Sequence, residues 1–175
     1  DRFQVRESLE EHQAMIEWLS PVDPCENHET AISSHQPGTC SWIFKSEEFE
    51  KWHHRENSFL WISGFAGVGK TVLFSNVVEY VKQTDVDTGV AYFYCDFTQS
   101  ECQDPRNIIG SLVAQLCSQF PYPQDLTIAY KASQSPGRKS RPRWDTLRYT
   151  LREFSKSRKV LLLIDALDEC EKREE

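Results

Sequence analysis

The stretch Ser58-Phe59-Leu60-Trp61-Ile62-Ser63-Gly64-Phe65-Ala66-Gly67-Val68-Gly69-Lys70-Thr71 decides how this chain is read. A short apolar run leads into a glycine-rich turn. The turn opens on a lysine and a hydroxyl at the head of a helical pattern. The spacing Gly64-x-x-x-x-Gly69-Lys70-Thr71 fits the P-loop signature. Each residue type answers a need of polyphosphate chemistry. Glycines lack the Cβ that would keep main-chain N–H groups away from phosphate oxygens. The first turn of the following helix adds unpaired N–H groups and the positive end of its dipole. The expected nucleotide-binding residues are Gly64, Phe65, Ala66, Gly67, Val68, Gly69, Lys70, Thr71 and Val72. Lys70 is expected to reach the β- and γ-phosphates, and the Thr71 hydroxyl to ligate Mg²⁺. The bland alternative is a glycine-rich turn between a strand and a helix with no ligand.

The second half of such a site is read at Val160-Leu161-Leu162-Leu163-Ile164-Asp165. A continuous apolar strand ending in a carboxylate is the expected Walker B geometry. Ligands of open α/β sheets bind beyond the carboxyl ends of the strands. Asp165 is therefore expected at the same sheet edge as the P-loop, holding Mg²⁺ through water while Thr71 binds it directly. Asp168 and Glu169 follow, and either could orient or deprotonate an attacking water. The alternative is a helix start whose acids favour the dipole.

The rest of the chain alternates helical and strand patterns. Residues 3–19 carry Val5, Leu9, Met15, Ile16 and Leu19 at helical spacing, and Pro21 and Pro24 end that helix. Residues 21–41 read as irregular. Trp42, Ile43 and Phe44 precede a short helix at 47–52, giving a surface loop with an aromatic anchor or a loop that helps hold a base. His28, His35, His53 and His54 show no partner in the sequence and read as surface residues. Strands are expected at 59–63, 89–97 and 159–165. Helices are expected at 70–83, from Pro105 to about residue 120, at 125–133 and at 144–157. Residues 135–143 form a basic, proline-containing loop, either solvated or offering an arginine to a phosphate or an acidic partner. Strands alternating with helices specify an α/β fold around a mainly parallel sheet.

Composition sets bounds. A chain of 175 residues suffices for one well-buried domain. Its net charge of −7 argues against a nucleic-acid-binding face. No apolar run approaches the length of a membrane span, and no secretory leader is visible. Six cysteines include no C-x-x-C pair, so zinc is not expected and reduced thiols in a cytoplasmic setting are. The chain begins at Asp1 rather than methionine and ends soon after Asp165, which leads to the expectation of a piece of a larger protein.

With both halves in view, the chain resembles the NACHT branch of the STAND P-loop NTPases. Within that branch it looks like the fungal-type, nephrocystin-like N-terminal P-loop domain. The resemblance runs from about Trp18 onward. It rests on Trp18-Leu-Ser-Pro21, Pro37-Gly38-Thr39-Cys40-x-Trp42, Leu60-Trp61-Ile62-x-Gly64, Leu112-Val113-Ala114-Gln115-Leu116 and Leu163-Ile164-Asp165-Ala166-Leu167-Asp168-Glu169. A small residue after the Mg²⁺ aspartate, then an acid pair, is the NACHT form of Walker B. Ala166, Asp168 and Glu169 match it. The resemblance implies a three-layer α/β/α P-loop NTPase fold, here incomplete at its C-terminal end. Residues 1–57 would be a helical linker region and 58–175 the truncated core. It also implies ATP, or alternatively GTP, with Mg²⁺, slow hydrolysis used as a signalling switch, and self-association in the triphosphate state. Protein partners are expected, and neither nucleic acid nor membrane. In the family's sheet order another strand lies between the P-loop strand and the Walker B strand. Residues 59–63 and 160–165 are therefore expected not to pair directly. A non-catalytic nucleotide-binding scaffold is the alternative reading. A small-molecule kinase is set aside because its Walker B usually lacks the Asp168-Glu169 pair.

Overall fold

The structure, a computed structural model, describes residues 2–134 and 140–170, apart from the side chains of residues 2–5, 7, 8 and 169. In chain order the elements are α1 (Arg2–Leu19), α2 (Cys25–Ser33), α3 (Glu47–His54), α4 (Lys70–Thr84), β1 (Gly89–Tyr94), α5 (Pro105–Gln119), α6 (Gln124–Ser133), α7 (Trp144–Ser157) and β2 (Val160–Asp165). Short 3-10 turns occupy Ile43–Lys45, Ser100–Gln103 and Leu167–Glu169. The chain forms two compact units, residues 25–86 and residues 1–24 with 87–175.

The larger unit is α/β, built on a parallel pair. β1 and β2 run in register from Gly89 opposite Val160 to Tyr94 opposite Asp165. Every residue of β1 is buried, as its Val, Tyr and Phe content suits. The chain leaves β1 through α5, whose start is written in the sequence. Asp104 caps it by accepting the Arg106 N–H at 2.9 Å, and Pro105 occupies the first turn, where no N–H partner is needed. Ile108, Leu112 and Leu116 recur at helical spacing and all lie in the core, with Phe120 packed against it. Met15 and Leu19 of α1, Ala91 and Phe93 of β1, and Leu147 and Phe154 of α7 complete the same core. Leu9, expected on the buried stripe of α1, is instead 64% exposed. α1 docks at its C-terminal end. There the Trp18 indole donates to the Ser140 carbonyl at 2.7 Å and meets the Tyr130 ring edge-on. Gly110 of α5 permits this docking, since a Cβ at that position would overlap the Leu19 carbonyl.

The smaller unit places α2, α3 and α4 together. Three expectations need correction here. Residues 25–33 form a helix rather than irregular chain; only His28 and Ala31 of it are buried, too sparse an apolar pattern to reveal the element. His28 and His53 are not surface residues. His28 Nε2 meets Glu79 Oε1 at 2.9 Å, and His53 Nε2 meets Asp85 Oδ2 at 2.8 Å. Their partners lie 51 and 32 residues away in sequence, out of reach of any local pattern. Third, residues 59–63 form no strand, and the one sheet among the described residues is β1 with β2. A strand exists only if a neighbour takes its N–H and C=O groups. Among the described residues none does so for this segment, and Phe59 stands 82% exposed. The aromatic anchor is real. Phe44 stacks on Tyr80 of α4 at 4.2 Å, and the buried Phe49 ring meets both.

Candidate functional site

The residues singled out from the sequence fall in two places, one in each unit. In the smaller unit, residues 64–69 form an exposed loop that runs directly into α4. Gly67 and Gly69 hold φ of +78° and +88°, the left-handed region that costs a glycine nothing. Gly69 is the N-cap of α4, and its carbonyl accepts the Leu73 N–H at 2.9 Å. Gly64 has an ordinary φ, and a Cβ there would crowd Val68 Cγ2 at 3.2 Å. Lys70 is the first helical residue. Its side chain folds back across the loop, and Nζ donates to the carbonyls of Gly64 at 2.9 Å and Phe65 at 3.1 Å. The ammonium is thereby held over the loop's own main chain. Thr71 is exposed in the first turn of α4, Val72 is half-buried, and Phe65, Ala66 and Val68 stand in solvent. The opposite face of α4 anchors this mouth through buried Leu73, Val77, Val78 and Val81. First-turn N–H groups facing an exposed glycine loop make an anion-accepting surface.

In the larger unit, Asp165 ends β2 and is buried. Its carbonyl accepts the Cys95 N–H at 3.1 Å, extending the ladder one residue beyond β1. Ala166 then takes a left-handed φ of +53° and turns the chain into the 3-10 segment Leu167–Glu169. A β-branched side chain is poorly tolerated in that conformation, which gives the small residue at 166 a physical reason. Asp168 is exposed within this turn. The side chain of Glu169 lies outside the described residues, as do residues 135–139 of the basic loop. The described part of that loop places Arg141 on an internal acid. Its guanidinium donates to Asp104 Oδ2 at 3.0 Å and to Asn107 Oδ1. Burial works to raise the Asp104 pKa, but the Arg106 amide and the Arg141 guanidinium outweigh it and hold the carboxyl below its ordinary value.

Two features near the end of the sheet escaped sequence reading. Asp96, just past β1, accepts the Thr98 N–H at 2.8 Å and the Thr98 hydroxyl at 2.6 Å. Those bonds, the hydroxyl's first, lower its pKa. Its signal was the Asp-x-Thr spacing of an Asx turn. Cys95, Cys102 and Cys170 are buried in one core beside Asp165. Burial, then the neighbouring Cys170 thiol and the Asp165 charge, push the Cys95 thiol up. Cys117 behaves likewise, pushed up to about 12 by burial. Among the described residues no group of three or more His, Cys, Asp or Glu converges on a metal position. No helix among them is long and apolar enough to cross a membrane.

Comparison with known proteins gives two findings. A family model described as "Nephrocystin 3, N-terminal" matches residues 38–175. The vegetative incompatibility protein HET-E-1 of Podospora anserina is 28% identical over 81 residues, which is 46% of this chain and 6% of that protein. This chain thus spans a small fraction of that relative's length. No solved structure matches.

Proposed function

The chain belongs to the nephrocystin 3 N-terminal family, and from that premise we propose that it binds a nucleoside triphosphate with Mg²⁺ as a NACHT-type switch. One observation carries this reading. Residues 64–69 put two left-handed glycines and a free helix N-terminus next to a lysine parked on weak carbonyl acceptors. A phosphate is a far stronger acceptor for an ammonium than a carbonyl. Lys70 would exchange the Gly64 and Phe65 carbonyls for β- and γ-phosphate oxygens, with main-chain N–H groups taking the rest. Gly64, Phe65, Ala66, Gly67, Val68, Gly69, Lys70, Thr71 and Val72 form this half.

Mg²⁺ suits the remaining residues. It keeps several waters and takes one or two protein oxygens beside those of phosphate. In this reading Thr71, exposed at the head of α4, and Asp165, at the carboxyl end of β2, would each offer one such oxygen. The ion would neutralise charge on the polyphosphate. Asp168 or Glu169 would orient the attacking water, giving slow hydrolysis that times the switch. ATP is the proposed nucleotide, with GTP the alternative. Protein partners, including a second copy in the triphosphate state, follow from the same reading. Cys40, Cys95, Cys102, Cys117 and Cys170 are free thiols, which suits a reducing cytoplasmic setting.

The test is equilibrium titration of a fluorescent ATP analogue, with Mg²⁺, into the parent chain and Lys70→Ala. Removing charge-assisted hydrogen bonds of about 1.5–3 kcal/mol should weaken binding roughly 10- to 150-fold. Equal affinity in the two proteins refutes the assignment. Competition with unlabelled GTP decides between the bases. Single-turnover phosphate release with and without Glu169→Gln separates a hydrolytic switch from a scaffold that only binds.

A further inference from the structure

β1 has two edges, and its residues divide between them. In a parallel ladder alternate residues of a strand bond to the same neighbour. The Gly89 N–H bonds the Lys159 carbonyl at 2.9 Å, and the Cys95 N–H bonds the Asp165 carbonyl at 3.1 Å. Odd-numbered residues thus serve β2, and the even-numbered ones point their main-chain groups the other way. On that far side no third strand is paired among the described residues. The edge is nonetheless occupied. Gln115 Oε1 accepts the Tyr92 N–H at 3.1 Å, and its Nε2 donates to the Tyr92 carbonyl at 2.8 Å. Gln119 does the same to Val90, at 3.1 Å and 2.7 Å. The spare amide hydrogens go back into α5, to the Ser111 and Gln115 carbonyls.

The spacing explains how two glutamines hold both Val90 and Tyr92. Four residues along a helix rise about 6 Å. Two residues along a strand rise about 6.6 Å. A helix lying alongside a strand can therefore offer one primary amide per outward-facing strand residue, provided the amides sit four apart. Gln115 and Gln119 do. Each amide presents the donor and acceptor pair of a peptide group, so α5 stands in for a neighbouring strand with side chains alone.

We propose that Gln115 and Gln119 are an edge stop: they close the outer edge of β1 to any incoming strand. An edge with free N–H and C=O groups is a template for another chain. Here the buried apolar β1 would be such a template, and a second copy's β1 is the occupant it would take. The pair of amides competes with that copy inside the molecule, at no cost in association entropy. Gln119 is exposed and Gln115 half-buried, so neither is needed to fill the core.

The test uses the whole chain with Gln115→Met/Gln119→Met, which keeps side-chain length and removes the hydrogen bonds. Amide hydrogen exchange is read residue by residue, and self-association by sedimentation over a range of concentrations. The Val90 and Tyr92 amides should exchange roughly five- to tenfold faster, while Ala91 and Phe93, which face β2, keep the parent's rates. The variant should also associate at concentrations where the parent does not. The single variants divide the effect, Gln119→Met acting at Val90 and Gln115→Met at Tyr92. Unchanged exchange at those two amides overturns the proposal. So does a uniform rise across β1 and β2, which would mark the glutamines as general packing. Association no greater than the parent's overturns it as well.

Discussion

Replacing Gly110 by alanine should destabilise the chain, although alanine is the better helix former. In an unobstructed helix the exchange would stabilise by about 1 kcal/mol. Gly110 is buried in the middle of α5, where α1 ends against it. A Cβ would stand 3.2 Å from the Leu19 carbonyl carbon and deep inside contact with its oxygen. The obstruction is main chain at the end of a packed helix, not the tip of a side chain that can swing aside. Leu19 is itself buried and fixed in the core, so α1 must shift as a body. Overpacking of this kind costs about 1–3 kcal/mol. With a main-chain obstacle the upper part of that range applies, leaving a net loss of about 1–2 kcal/mol after the propensity gain. For a chain of this length that lowers Tm by about 2–8 °C. Urea unfolding followed by Trp fluorescence and far-UV circular dichroism measures it. An unchanged slope with a lower midpoint identifies a loss of stability. A midpoint equal to or above the parent's would refute the close approach of α1 to α5, and with it the place of α1 in the larger unit.

Ala166→Gly should stabilise by about 0.5–1 kcal/mol, because glycine relieves the left-handed backbone and returns part of the gain as unfolded-state entropy. Ala166→Val should instead lose 1 kcal/mol or more; equal midpoints for the two in urea would contradict the positive φ. Asp104→Asn keeps the helix cap but drops the ion pair with Arg141, costing about 0.5–1 kcal/mol at pH 7. The folded pKa of Asp104 is depressed, so its contribution is complete above the unfolded carboxylate range and vanishes as pH falls through the folded value. The gap between parent and variant in thermal melts should therefore close on acidification, and a gap constant from pH 7 to pH 2 would rule out this linkage.

Much of the fold is local in origin and was legible. The cap and proline at Asp104-Pro105, the stripe Ile108-Leu112-Leu116 and the apolar run before Asp165 each carry their signal within a few residues. The same holds for the loop at 64–71. Its glycines are required by the backbone angles at Gly67 and Gly69, and the helix that follows starts at Lys70 as its pattern indicates. Three things were not legible. The apolar run at 59–63 has strand composition, yet a strand is a relation between two segments. The carboxylate partners of His28 and His53 come from α4 and its end, and nothing near either histidine in sequence announces them. The conformation of Ala166 is a consequence of how the chain leaves β2.

The sequence by itself determined the α/β class, most of the helices, the approximate place of the two strands, and the glycine turn that opens α4. Periodicity, capping and turn chemistry act over distances shorter than one element. Only the tertiary structure decided which main-chain groups find partners. Among the described residues it left 59–63 outside any sheet, fastened α2 and α3 to α4 and its C-terminal end through buried histidines, and set two glutamine amides on the outer edge of β1 at Val90 and Tyr92. Hydrogen-bond satisfaction joins residues tens of positions apart, so it is settled when the chain packs.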